Sequence, residues 1–296
     1  MASGINGRTK ICGIIGYPVG HSFSPVMQNA AFSAAGLDYA YVPFPVEPGD
    51  VKEAVKAVKA FGLVGVNVTI PHKETVLPLL DQLSEEARLT GAVNTIVNHS
   101  GRLCGYNTDG EGFWRSLGEV GFLPAGKTVL ILGAGGAARA VAVAAALAGI
   151  KRLMLANRTE KRARELACFI AEKTGLPADV IPWPEDKGGS LLGEALSGAD
   201  LVVQATRLGM HPNEAEVVPI PYDRFKPGQV ACDLVYNPME TMFLRKAGQS
   251  GAAAVSGLGM LLHQGALSFE LWTGAAAPLE VMRKELLKEV TKQKTE

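Results

Sequence analysis

The chain has 296 residues, 29 Lys and Arg against 29 Asp and Glu, and 47% hydrophobic residues. That length accommodates two domains of ordinary size, and the composition is that of a globular protein. The balanced charge argues against nucleic acid or a membrane surface as a partner, and no apolar run reaches the about 18 residues that a membrane span needs.

Residues 10–17 (KICGIIGY) predict a first strand that runs into a loop holding His21, Ser22, Ser24 and Pro25. Pro25 suits the first position of a helix over 26–35, with Ser24 as its N-cap. Ser22 stands outside that helix. Hydroxyls at the C-terminal end of a strand are either turn chemistry or ligand contacts. Residues 39–46 predict a strand whose prolines suit a sheet edge, and Asp50 is placed to cap a helix over 51–61. The β-branched run 63–69 predicts another strand, with Asn67 and Thr69 near its end. Pro71 then predicts a helix start. Lys73 would lie just inside it, against the helix dipole, either as an ordinary exposed lysine or as one kept for a task. His72 reads as a surface or capping histidine.

Ser84, Glu85 and Glu86 cap and charge a short helix. Residues 91–98 predict a strand in which the Asn94 amide needs buried partners. A Ser100-Gly101 turn makes a hairpin to 103–106. Asp109 reads as an N-cap for a helix over 112–120 that links two domains.

The run 128–132 predicts a buried strand that enters Gly133-Ala134-Gly135-Gly136-Ala137-Ala138, followed by a helix over 137–148 and a strand over 152–156. This βαβ unit carries G-x-G-x-x-A, the small-residue variant of the dinucleotide fingerprint. Gly133 takes the tight turn, Gly135 admits a pyrophosphate, Ala138 lets the helix sit close, and the helix N-terminus faces the phosphates. An NAD site usually has an acid at the end of the second strand. Asn157, Arg158 and Thr159 stand there, with Lys161 and Arg162 just beyond. They predict NADP(H), since an acid would repel a 2′-phosphate and arginines would bind it. The other reading of Arg158 and Arg162 is as solvated charges at a helix start.

The helix continues to 173, and 181–193 predict a surface loop. Residues 200–205 and 229–234 predict parallel strands whose C-terminal ends face the cofactor. A helix over 239–247 and a strand over 252–255 complete a Rossmann-like sheet. A helix over 258–273 aligns Met260, Gln264, Leu267 and Leu271, so the Gln264 amide has either a core partner or a polar ligand. A solvated amphipathic helix covers 280–291. Cys12, Cys104, Cys168 and Cys232 have neither pair nor metal spacing. They predict reduced thiols, no metal and a cytoplasmic protein, and residues 1–10 show no apolar signal core.

In this order the motifs resemble the shikimate dehydrogenase family over nearly the whole chain. Gly16-Tyr17-Pro18-Val19-Gly20-His21-Ser22-Phe23-Ser24-Pro25 is similar to its serine loop, and Asn67-Val68-Thr69-Ile70-Pro71-His72-Lys73 to its lysine motif. Gly91 to Thr95, Asn107 to Gly110, Asn157 to Arg162, Asp233 to Pro238 and Gly259 to Ala266 match further motifs. The resemblance implies an α/β fold of two α/β domains around a cleft, the second a Rossmann-like NADP-binding domain. The substrate-binding and catalytic domain would be 1–110 completed by 256–296, and the NADP-binding domain 111–255.

The implied activity is the reversible NADP-dependent reduction of 3-dehydroshikimate to shikimate, a step toward chorismate and the aromatic amino acids. Ser22, Ser24, Thr69, Asn94, Tyr236 and Gln264 would hold the substrate, with Lys73 and Asp109 at the reacting carbinol. Glu85, Gly133, Ala134, Gly135, Gly136, Ala137, Asn157, Arg158, Thr159, Arg162, Leu234 and Gly257 would contact the cofactor. The partners implied are small molecules, with a homodimer as the assembly the resemblance allows. One departure is Gln204-Ala205-Thr206-Arg207, where the family usually reads Asn-Ala-Thr-Ser. The rival readings are a quinate/shikimate dehydrogenase using NAD or NADP, a non-catalytic sensor, and a two-domain dehydrogenase of the methylene-tetrahydrofolate type.

Overall fold

A computed structural model of the chain describes residues 4–183 and 190–292. They fall into two compact units, Met1–Thr108 with Leu262–Glu296, and Asp109–Leu261. The first opens with β1 (Lys10–Gly16), α1 (Ser24–Ala34), β2 (Tyr39–Pro45), α2 (Val51–Ala60) and β3 (Gly65–Val68). It continues with β4 (Gln82–Leu83), α3 (Glu85–Thr90), β5 (Thr95–His99) and β6 (Arg102–Tyr106). The sheet order is β2-β1-β3-β5-β6-β4, with β2 at an edge, where Pro43 and Pro45 cost no ladder bond. β3 pairs antiparallel with β5, and β5 with β6, while β1 pairs parallel with β2 and β3. The β5–β6 turn uses Ser100 at φ 53° and Gly101 at φ 95°, the two positive values that a two-residue hairpin needs. Val51, Val55 and Val58 of α2 lie one helical turn apart and enter the core beside Val66, Val68, Ile96 and Leu103.

Three local expectations in this unit are corrected. Asp50 makes no side-chain cap; it ends a 3-10 turn, Pro48–Asp50, that leads into α2. No α-helix follows Pro71. Residues 69–76 form turns and a 3-10 turn follows at Leu77–Leu79. Pro78 is the reason, since inside a helix it would remove one hydrogen bond and clash with the preceding turn. His72 is not on the surface: it is 1% exposed, and its Nε2 donates to the Val46 carbonyl at 2.7 Å.

The second unit begins with α4 (Asp109–Gly118) and β7 (Thr128–Leu132), followed by α5 (Gly136–Leu147), β8 (Arg152–Ala156), α6 (Glu160–Thr174) and β9 (Ala178–Ile181). α7 (Ser190–Gly198), β10 (Leu201–Gln204), β11 (Val230–Asp233), α8 (Met242–Gln249) and β12 (Ala253–Ser256) complete it. All its strand pairs are parallel, in the order β12-β11-β10-β7-β8-β9. Counted from β7, that is the 3-2-1-4-5-6 order of a Rossmann sheet. The fold is therefore α/β with a Rossmann-like second unit. The surface loop expected over 181–193 is corrected at both ends, because β9 runs to Ile181 and α7 starts at Ser190. Residues 184–189 lie outside the described residues. Leu192, Ala195 and Leu196 of α7 join the core against β7, β10 and β11. The chain then runs through α9 (Leu258–Thr273) to α10 (Leu279–Lys292), which packs against α1. Among the described residues no helix is long and apolar enough to cross a membrane, and no His, Cys, Asp and Glu cluster could hold a metal ion.

Candidate active site

In the first unit the C-terminal ends of β1 and β3 lie side by side. The Tyr17 N–H donates to the Ile70 carbonyl at 3.0 Å and the Thr69 N–H to the Ile15 carbonyl at 2.9 Å. A Cβ on Gly16 would collide with the Thr69 methyl, so the start of the serine loop presses directly on the lysine turn. Lys73 is half-buried in that turn, and its carbonyl accepts from the Val93 N–H at 2.8 Å, which fixes its backbone beside Asn94. The expected Ser24 cap is corrected: Phe23 takes the N-cap position of α1, and no side chain caps the helix. Ser24 is the first residue of α1 and is 4% exposed, and the Ser22 Oγ accepts from the Ser24 N–H at 3.3 Å. Ser22, rather than Ser24, supplies the local turn chemistry.

Behind these residues runs a buried polar network. Ser24 hydrogen-bonds the Tyr41 phenol, whose ionisation burial pushes far above its ordinary value. The Tyr41 hydroxyl donates to Asn67 Oδ1 at 2.7 Å. Asn67 Nδ2 donates to the Asn94 carbonyl, Thr95 Oγ1 and Ser268 Oγ at 3.0, 3.1 and 3.0 Å. Asn94 Oδ1 accepts from the Thr108 N–H at 2.9 Å and the Thr95 hydroxyl at 3.0 Å. With its oxygen so engaged, the Asn94 amide nitrogen faces Thr108 Oγ1 at 2.9 Å and Gln264 Oε1 at 3.5 Å. The network thus sets which way the Asn94 amide points.

Of the two readings of Gln264, the side-chain oxygen has a core neighbour in Asn94 Nδ2, while its backbone carbonyl accepts from the Thr108 and Ser268 hydroxyls. Tyr41 and Ser268 are not among the expected site residues, and Thr95 and Thr108 enter the sequence reading only as members of the motifs Gly91 to Thr95 and Asn107 to Gly110. Asn94→Ala would leave the Thr108 N–H without its acceptor. With about 1–3 kcal/mol per buried polar group stranded, the variant should lose about 3 kcal/mol in urea unfolding.

In the second unit, Asp109 opens α4 and is 8% exposed, inside the first turn rather than ahead of the helix as its N-cap. Gly133 stands at φ 120°, and its N–H donates to the Ala156 carbonyl at 2.8 Å. A Cβ there would come within 2.9 Å of the Ala205 carbonyl oxygen, so only glycine fits between the ends of β8 and β10. This is the point where the strand order reverses, the place where doubly wound sheets bind ligands. Gly135 precedes α5 without a side-chain cap, and a Cβ on Gly135 or Gly136 would meet no protein atom. The free space and uncapped N–H groups fit a pyrophosphate.

At the end of β8, Asn157 Nδ2 donates to the Thr159 carbonyl at 2.8 Å and holds the turn. Arg152 and Arg164 are paired with Asp179 and Glu160. Among the described residues, Arg158 and Arg162 are exposed and in no ion pair. Of the further residues expected at the cofactor, Leu234 and Gly257 are neighbours: a Cβ on Gly257 would lie 2.5 Å from the Leu234 carbonyl oxygen. Tyr236 follows on the same segment, half-buried, and desolvation raises its hydroxyl above the ordinary phenol range. Glu85 lies in the first unit, exposed in the first turn of α3, whose N-cap is Ser84 as expected.

Residues 14–96 match the shikimate dehydrogenase substrate binding domain, 122–207 the shikimate / quinate 5-dehydrogenase family, and 257–287 the shikimate 5′-dehydrogenase C-terminal domain. A shikimate dehydrogenase (NADP(+)) of Desulforamulus reducens is 52% identical over 97% of this chain and 98% of its own length. A crystal structure of a shikimate dehydrogenase in complex with NADP+ superposes with a TM-score of 0.89 at 42% identity, covering 98% of this chain and 99% of that one. The Thermus thermophilus enzyme, solved with NADP(H) and shikimate, gives 0.83 at 38% identity, covering 95% of this chain and 99% of that one. The chain belongs to the shikimate dehydrogenase family.

Proposed function

We infer that the chain is an NADP-dependent oxidoreductase that interconverts 3-dehydroshikimate and shikimate. The observation that carries this reading is the pairing of a pre-oriented hydroxyl and amide cluster in the first unit with an acid-free, arginine-flanked β8 end in the second. In it, residues 1–110 with 256–296 bind substrate, and 111–255 bind NADP(H). NADP(H), when bound, supplies or accepts the hydride.

Every other part of the chemistry falls to side chains of this chain. Ser22, Ser24 and Tyr236 donate hydroxyls to the substrate carboxylate. Thr69, Asn94 and Gln264 pair with its hydroxyl groups. A polyol matched this way is discriminated strongly, because an analogue lacking a hydroxyl strands a buried group. Reduction places negative charge on the carbonyl oxygen as hydride arrives, and Lys73 delivers the proton that quenches it, with Asp109 as its orienting partner. In oxidation the same ammonium–amine couple takes the proton back. Gly133 to Ala137 hold the pyrophosphate, Asn157, Arg158, Thr159 and Arg162 the 2′-phosphate, and Glu85, Leu234 and Gly257 the remaining contacts. The reading also makes the protein cytoplasmic, with small molecules as its ligands and a homodimer as its assembly.

The test is one set of initial rates pairing shikimate or quinate with NADP+ or NAD+, read by absorbance of the reduced coenzyme. Shikimate with NADP+ should give the highest kcat/KM. Faster turnover of quinate with NAD+ would assign the chain to the quinate branch, and turnover of none of the four pairs would remove the enzymatic reading.

A further inference from the structure

Asp233, the last residue of β11, is a carboxylate with no exposed surface. Its Oδ2 accepts from the Thr241 hydroxyl at 2.6 Å. Its Oδ1 accepts from the Val235 N–H at 2.9 Å and Gln204 Nε2 at 3.2 Å. All three donors are neutral. The titratable groups that face it are Tyr222 and Cys232, a phenol and a thiol that its charge pushes up further. Lys246 lies 5.2 Å over the Tyr222 ring, and no cation is among the groups that shift Asp233. Burial therefore acts on Asp233 without a countercharge and raises it to about 6. A lone buried carboxylate costs stability at neutral pH, and folds keep such groups where function requires them.

The contacts around it show what is being held. The Leu234 N–H donates to the Gln204 carbonyl at 2.9 Å, and the Asn237 carbonyl accepts from the His211 N–H at 3.1 Å. The Leu234 carbonyl is walled by Gly257. Gln204 Nε2 also donates to the Leu208 carbonyl at 3.0 Å, while its Oε1 accepts from the Thr206 N–H. Thr241 caps α8 by accepting from the Leu244 N–H. Gln204, which departs from the usual sequence of the family, is thus the brace that joins the loop after β10 to the one after β11.

We propose that Asp233 is a positioning residue for the reaction: its carboxylate ties β10, β11 and the start of α8 together and holds the 234–237 backbone, with Leu234 and Tyr236, in one conformation. This rests on the proposed function, in which Leu234 meets the cofactor and Tyr236 the substrate. Protonation of Asp233 takes one acceptor away from the set of three donors it holds. Because the folded value lies above the ordinary 3.8, the folded chain binds a proton between the two that the unfolded chain does not. The group therefore favours folding most at low pH, and that contribution is lost as pH rises through about 6.

The test is Asp233→Asn, with Thr241→Val and Thr241→Ser beside it. At neutral pH, Asp233→Asn should lower kcat/KM for shikimate by about 10- to 100-fold, the scale of a small misplacement of binding groups. The difference in Tm, wild type minus Asp233→Asn, should grow as pH falls toward 5. The kcat/KM of the wild type should bend downward below about pH 6, and that bend should be absent in Asp233→Asn. A bend arising from the 2′-phosphate of the cofactor would persist in the variant. Thr241→Val should imitate Asp233→Asn, and Thr241→Ser should restore the bend. Wild-type kinetics in Asp233→Asn, or an unchanged bend, would overturn the proposal. If the wild type turned over no substrate, the proposed function would fail separately. NADPH binding followed by its own fluorescence would then decide, several-fold weakening in Asp233→Asn supporting the clamp and equal affinity overturning it.

Discussion

Replacing Lys73 by alanine should lower kcat for shikimate oxidation by about two to four orders of magnitude, the usual contribution of a positioned acid or base, while KM changes only a few fold. The split follows from the role assigned to the ammonium. It acts on charge that exists only as the carbon–oxygen bond order changes, so its loss is felt in the transition state and hardly in substrate binding. The backbone at this position does not depend on the side chain. Lys73 is fixed through its carbonyl, which the Val93 N–H holds whatever the side chain is, and it is absent from the apolar core around Val66, Val68 and Val76. Urea unfolding of the variant, run beside the kinetics, separates the loss of chemistry from any change in stability. Lys73→Arg should recover little activity, since a guanidinium keeps the charge but holds its protons tightly and in a different geometry. A kcat within a few fold of wild type in Lys73→Ala would take the residue out of the chemistry.

The two units were unequally legible in the sequence. In the second, the glycine loop fixes one strand end, and the remaining strands are short apolar runs buried on both faces, so periodicity and position agree. β9 escaped because Ala178–Ile181 is only partly buried at a sheet edge, and α7 because its start adjoins a charged, glycine-rich stretch. In the first unit, Lys73 stood out as a lysine opposing a helix dipole, yet Pro78 prevents that helix from forming. Its position at the end of β3 is what gives it significance. Ser24 likewise reads as a cap, whereas Phe23 takes the N-cap position with no side-chain cap, Ser22 accepts from the Ser24 N–H, and Ser24 joins a buried phenol. The network behind them had no local signature. Asn67 meets Ser268 across 201 positions, and neither residue's neighbours in the sequence foretell the other. Local rules read caps, turns and periodicity; they do not read pairings that only the closed sheet and the returning helix create.

Replacing Arg158 by aspartate should raise KM for NADP+ by about 100-fold and leave KM for NAD+ within a few fold, which inverts or abolishes the coenzyme preference. The magnitude follows from two effects of like sign. A charge-assisted hydrogen bond to a phosphate is lost, at about 1.5–3 kcal/mol, and a carboxylate is placed against a dianion. Arg158 is the right residue to change because its charge is not spent elsewhere: Arg164 is tied to Glu160 and Arg152 to Asp179, whereas Arg158 and Arg162 make no ion pair among the described residues. The turn itself should survive, since it is held by Asn157 Nδ2 on the Thr159 carbonyl and by the Arg162 N–H on the same oxygen, at 2.8 and 3.0 Å. An aspartate there also restores the acid that commonly binds a ribose 2′-hydroxyl, so NAD+ turnover should rise if anything. The effect on NADP+ should shrink with added salt, because the site is exposed and screened. Equal KM values for NADP+ in the variant and the wild type at low salt would mean that these arginines are only solvated charges at the start of α6, and the coenzyme assignment would then lose its physical basis in this chain.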